Sequence, residues 1–150
     1  MGKTYLIIHD DAHVLVCRGG TSGSQVRQRR GTHLPGGTNE SNSVLEDAKR
    51  ELKEETGFGW DDLGVTETIT IEPARLLRYG VKFLKVKVSD VETLASQFQP
   101  PGGGKPQDSP FTAVEALAIE NCWAAQNGFQ EHYGTDWFGI GLQAAFQTRS

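Results

Sequence analysis

The stretch Val44-Leu45-Glu46-Asp47-Ala48-Lys49-Arg50-Glu51-Leu52-Lys53-Glu54-Glu55-Thr56-Gly57-Phe58 decides how the chain is read. Over 43–56 the apolar residues Val44, Leu45, Ala48 and Leu52 recur at i, i+1, i+4 and i+8, the spacing of one helical face. Ser41, Asn42 and Ser43 are N-cap candidates, and Gly57 is placed to end the helix in a left-handed conformation. Asp47, Glu51, Glu54 and Glu55 share another side of the same helix. Like charges three or four residues apart cost about 0.2–0.5 kcal/mol each in an isolated helix. Asp47–Glu51, Glu51–Glu54 and Glu51–Glu55 are all such pairs, and only Arg50, four residues after Glu46 and four before Glu54, offsets them locally. The pattern has two readings: a solvated acidic face, or a set of hard oxygen ligands suited to Mg²⁺ or Mn²⁺.

Working outward, His33-Leu34-Pro35-Gly36-Gly37 is a turn whose glycines admit positive φ. Before it, Arg27, Arg29 and Arg30 cluster. A strand there places Arg27 and Arg29 on one face, where they can grip a phosphate or simply be solvated. Short β-branched runs at 5–8 and 14–18 read as strands, as do 66–72 and 78–88. The apolar residues of the last run change phase, from Val81 and Phe83 to Leu84, Val86 and Val88, which implies a bulge or burial on both faces. The Pro- and Gly-rich segment 99–110 is a long loop. Thr112-Ala113-Val114-Glu115 has capping-box spacing and predicts a helix to about 126, with a final helix over 136–147. Strands, helix, strands and then helices, with one sheet to cover on both faces, imply an α/β fold: a mixed β-sheet between helices.

The chain has 150 residues, which suits one domain over 1–150. Its 15 Lys+Arg against 19 Asp+Glu leave a net charge of −4, which argues against a partner as basic-patch-dependent as extended nucleic acid. No apolar run reaches the length of a membrane helix, and no signal-peptide core is visible, so a cytoplasmic protein is expected. Cys17 and Cys122 read as reduced core thiols, and no His–Cys grouping has zinc spacing. Trp123, Trp137 and Phe138 fit a core better than a base-stacking platform. Lys105 follows three glycines but misses the phosphate-loop spacing, being followed by Pro106.

Gly36, followed by Arg50-Glu51-Leu52-Lys53-Glu54-Glu55-Thr56-Gly57-Phe58, resembles the box of the Nudix hydrolase family: Gly, five residues, Glu, seven residues, then Arg-Glu-aliphatic-x-Glu-Glu-x-Gly-aliphatic. The approach through Leu34-Pro35-Gly36-Gly37 is also similar. The match departs in three ways: counted from Gly36, Asn42 stands where the family has Glu, with Glu40 or Glu46 as possible stand-ins; counted from Gly37 instead, the loop is one residue short; and Thr32 stands where many members carry Trp. The resemblance implies an α/β/α sandwich and a Mg²⁺- or Mn²⁺-dependent pyrophosphatase. Its substrate would be a small molecule in which a nucleoside diphosphate is linked to another group, and the protein a monomer or homodimer. It further implies that Glu51, Glu54, Glu55 and the Gly36 carbonyl bind metal, that Glu54 or Glu51 assists the attacking water, and that Arg50 holds the carboxylates. Arg27, Arg29 and Gly37 would meet substrate. A general base from a later segment is expected in such proteins, with Glu115, Glu120 and Asp108 as candidates; the alternative for Glu115 is capping-box partner of Thr112. The other function left open is a catalytically weak nucleotide-sensing or interaction module.

Overall fold

The computed structural model describes residues 2–19, 32–99, 111–122 and 136–146. The centre of the fold is β1 (Lys3–His9), whose side chains alternate between two buried faces. Leu6 and Ile8 enter one core cluster, Tyr5 and Ile7 the other. Along one edge β1 runs parallel to β6 (Val81–Lys87), in continuous register from Lys3↔Val81 to His9↔Lys87. Its other neighbours are both antiparallel: β4 (Gly36–Thr38) opposite Lys3–Tyr5, and β2 (His13–Gly19) opposite His9. The sheet continues from β6 to β5 (Glu67–Ile71), and from β2 to the short β3 (Thr32–His33) and to β7 (Phe111–Ala118). Among the described residues the result is a seven-stranded mixed sheet.

The phase slip in β6 is burial on both faces rather than a bulge. Val81 and Phe83 join one cluster, Leu84, Val86 and Val88 the other, and the register with β1 and β5 is unbroken. One face is covered by α1 (Val44–Thr56), through Ala48 and Leu52, and by the short α2 (Val91–Ser96), through Val91 and Leu94. The other is covered by α3 (Trp137–Phe146), through Trp137, Phe138 and Leu142. Trp137 and Phe138 are therefore core. Gly141 lets α3 approach the sheet closely, since a Cβ there would run into the Phe83 ring.

Several expectations are corrected. The segment after 110 is not a capped helix: Phe111–Ala118 is a strand paired with β2 along its length, with a bulge at Thr112 where the register shifts between Arg18↔Ala113 and Gly19↔Phe111. Thr112 and Glu115 therefore form no capping box. A 3₁₀ turn over Ile119–Asn121 follows, which carries Glu120. The Ala- and Glu-rich composition favours helix locally, but the open edge of β2 demands a partner and decides the outcome. Residues 78 and 79 belong to a 3₁₀ turn, Ala74–Tyr79, before β6 begins. The expected basic strand around 26–30, Lys105 in its loop, Asp108 and Trp123 lie outside the described residues.

Candidate active site

The helix α1 is built as its sequence suggests. Ser43 is the N-cap, its Oγ accepting the Glu46 N–H at 3.2 Å, while Asn42 is exposed beside it. Gly57, at φ 82°, closes the helix by donating its N–H to the Lys53 carbonyl. The Ala48–Leu52 face is pressed against the sheet, so the adjacent acidic face is held against β4.

There the carboxylates meet the two glycines. Glu55 Oε1 accepts the Gly36 N–H at 2.8 Å. Gly36 has φ +148°, and a Cβ on it would collide with the backbone of Thr4 and Tyr5 in β1, so only glycine fits. The Glu51 carboxylate lies flat over Gly37, where a Cβ would stand 2.7 Å from its Oε1 and 2.9 Å from its Cδ. Glu51 and Glu55 are buried; Glu54 reaches out, its side chain 56% exposed.

Arg50 ties these groups together. Its Nη1 donates to Glu51 Oε1 at 3.1 Å and Glu54 Oε1 at 3.2 Å, and lies 3.4 Å from Glu40. Its Nη2 donates to the Thr38 carbonyl at 3.1 Å and lies 3.5 Å from Asp47 Oδ1. Burial works against the Arg50 charge, but Glu51, Glu40 and Glu54 outweigh it and hold the guanidinium above its ordinary pKa. Asp47 is buried and accepts the backbone N–H groups of Glu40 at 3.0 Å and Ser41 at 3.1 Å. Burial alone would push its carboxyl up; these N–H groups, the Ser41 hydroxyl and Arg50 hold it below the usual carboxylate value.

Among the described residues no three His, Cys, Asp or Glu side chains converge on a common point as a metal cage. The donor set is nonetheless suited to a hard cation: three carboxylates on one helix side, beside two glycines that leave room for them. The structure brings Gly36, Gly37, Arg50, Glu51, Glu54 and Glu55 together. Glu46 turns away, 3.6 Å from Lys49, and Glu40 faces Arg50 from the exposed side. Glu115 is elsewhere: it stands opposite Val16, on the sheet face away from α1, and pairs with Arg18 at 3.0 Å. Arg18 also donates to Thr32 Oγ1, joining β2, β3 and β7. Arg27 and Arg29 lie outside the described residues. Helical spacing already sets Asp47 among the acidic residues of this face, but its backbone partners lie in a turn that no spacing rule announces.

No family model and no curated protein matches the sequence. The fold, by contrast, matches solved structures. One is a Nudix hydrolase, RenU, from M. smegmatis, with TM-score 0.58 and 14% identity over 95% of this chain and 81% of that one. Another is a UDP-X diphosphatase, with TM-score 0.55 and 19% identity over 97% of this chain and 62% of the other. The chain therefore spans less than two thirds of the second protein's length. At these identities the likeness is one of fold.

Proposed function

The chain has the Nudix hydrolase fold, and from it we propose a Mg²⁺- or Mn²⁺-dependent hydrolase that cleaves a phosphoanhydride bond in a nucleoside diphosphate linked to another group. The observation that carries this reading is the junction of Glu51, Glu54 and Glu55 with Gly36-Gly37, arranged by Arg50. Glu51, Glu55 and Glu54, with the Gly36 carbonyl, would hold the cation. When bound, such an ion neutralises charge on the phosphate oxygens and makes a coordinated water more acidic.

The chain's own residues supply the rest. Glu54, whose side chain is exposed and paired with Arg50, accepts the proton as the water oxygen attacks phosphorus. The P–O anhydride bond breaks and the leaving phosphate departs as an oxyanion. Arg50 offsets the mutual repulsion of the carboxylates while no cation screens them. Gly37 leaves the approach to β4 free of a side chain, and Arg27 and Arg29 are assigned to the substrate phosphates. Glu115 is held by Arg18, so the proton acceptor is placed on α1 instead.

The test is product release from nucleoside triphosphates, nucleotide sugars, dinucleotide coenzymes and dinucleoside polyphosphates, with and without Mg²⁺ or Mn²⁺. Metal-dependent cleavage of one class supports the reading and names the substrate. Tight binding of an intact nucleotide in the presence of Mg²⁺, with no turnover across the panel, supports a sensing module instead.

A further inference from the structure

The acid missing at Asn42 leaves a gap in the machinery that the resemblance implies, and the structure shows another carboxylate in a position to fill it. Asn42 is exposed and does not cap α1. Glu40 and Glu46 are exposed as well. Asp47 differs from all three. It is buried on the helix side that bears Glu51 and Glu54, one turn before Glu51. One of its oxygens accepts two successive backbone N–H groups, those of Glu40 and Ser41, which fixes the turn between β4 and α1. The same oxygen lies 3.5 Å from Arg50 Nη2, the nitrogen that also donates to the Thr38 carbonyl at the end of β4. The other terminal nitrogen of Arg50 then reaches Glu51 and Glu54.

A planar guanidinium gripped on one side cannot rotate without losing its contacts on the other. Asp47 thus sets the angle from which Arg50 meets Glu51 and Glu54. We propose that Asp47 is a positioning residue that takes over the part of the absent box acid, clamping the 39–41 turn and orienting Arg50 so that Glu51 and Glu54 are held ready for a divalent cation. This rests on the metal-dependent reading above, and it concerns this chain's own departure from the family pattern.

The test uses the full chain, with Mn²⁺ as the probe, and three variants: Asp47→Ala, Asp47→Asn, and Asp47→Ala combined with Asn42→Glu. Asp47→Asn keeps an oxygen for the Glu40 and Ser41 N–H groups and loses the charge that faces Arg50. Without metal, amide exchange at Glu40 and Ser41 is expected to accelerate in Asp47→Ala and to stay near wild type in Asp47→Asn. The protected Arg50 guanidinium resonances are expected to be lost in both. Mn²⁺ affinity, read by paramagnetic resonance, is expected to fall about 10–100-fold in both, the range typical of groups that orient metal ligands. Asn42→Glu should restore much of it.

Wild-type Mn²⁺ affinity in Asp47→Asn, with Arg50 still protected, overturns the proposal even where Asp47→Ala fails to fold. Equal affinity of Asp47→Ala with and without Asn42→Glu overturns the claim of substitution. A wild-type chain that binds no Mn²⁺ overturns the metal reading itself, and this proposal with it.

Discussion

Gly37 owes its identity to the carboxylate that lies across it. The three atoms that a Cβ at this position would approach most closely all belong to the end of the Glu51 side chain, which can move. Gly37→Ala is therefore expected to fold with near-wild-type stability and to push the Glu51 carboxylate aside. A displacement on the scale of 1 Å at a reacting centre costs about 10²-fold in rate. Turnover and thermal unfolding measured side by side check this; an active Gly37→Ala would mean that Glu51 is not where the chemistry happens. Gly36→Ala should behave differently, because its Cβ would strike the β1 backbone and destabilise the fold. At this scale helical spacing groups Asp47, Glu51, Glu54 and Glu55 on one side, and the resemblance adds Gly36 and Arg50, which lie beside them. The role of Asp47 is not legible in the sequence, since its partners are backbone N–H groups of a turn whose shape emerges only on folding.

Among the elements, the turn between β1 and β2 depends on one carboxylate. Asp10 Oδ1 accepts from Ala12 and His13, and its Oδ2 accepts from Val91 at the start of α2. Burial pushes its carboxyl up, but these N–H groups, Val91 first, outweigh it and hold the value below the ordinary one. The folded state therefore binds the proton less readily than the unfolded chain. The stability Asp10 contributes is complete above its unfolded value of about 4 and is lost as pH falls below that. Asp10→Asn is expected to cost about 1 kcal/mol at pH 7, by losing one acceptor, and to lose less on going to about pH 3.5 than the wild type. Urea unfolding at the two pH values measures both; an equal loss in variant and wild type contradicts the assignment.

Helix α1 is the most legible element, because periodicity, cap and closing glycine all agree. Strand β7 is the least legible. Its composition favours a helix, and the demand that makes it a strand comes from β2, far away in sequence. Gly139 and Gly141 make α3 look weak as a helix, yet Gly141 is what lets it approach Phe83. Gly141→Ala is expected to destabilise by roughly 1–3 kcal/mol through overpacking, which chemical denaturation would detect.

The whole molecule is a sheet with a core on each face, and the two cysteines fall in different cores. Both are buried, and burial pushes the Cys122 thiol up to about 12. Both should resist thiol reagents until the protein unfolds, and reductant should leave stability unchanged; rapid labelling of the native protein would contradict this. The layered architecture is legible from element order, since strands buried on both faces need helices on both sides. The strand order is not, because β1 shares one edge between β2 and β4, an arrangement that local patterns do not encode. That division of β1 sets β4 and its glycines beneath α1, so the fold and the candidate site are one construction.

Metal-dependent hydrolysis by the carboxylates over these glycines is the proposal from which the rest follows. Its most direct test is turnover of the best substrate by wild type, Glu51→Gln and Glu55→Gln, each with Mg²⁺ and with chelator, alongside thermal unfolding. An amide at either position keeps the shape, and the Glu55→Gln side chain still offers an oxygen to the Gly36 N–H. Both variants are expected to fold, with a rate that falls by about 10²-fold or more, on the scale of a misplaced catalytic group, to the level of the chelated wild type. Variants as active as wild type, or turnover indifferent to the chelator, would contradict the proposal.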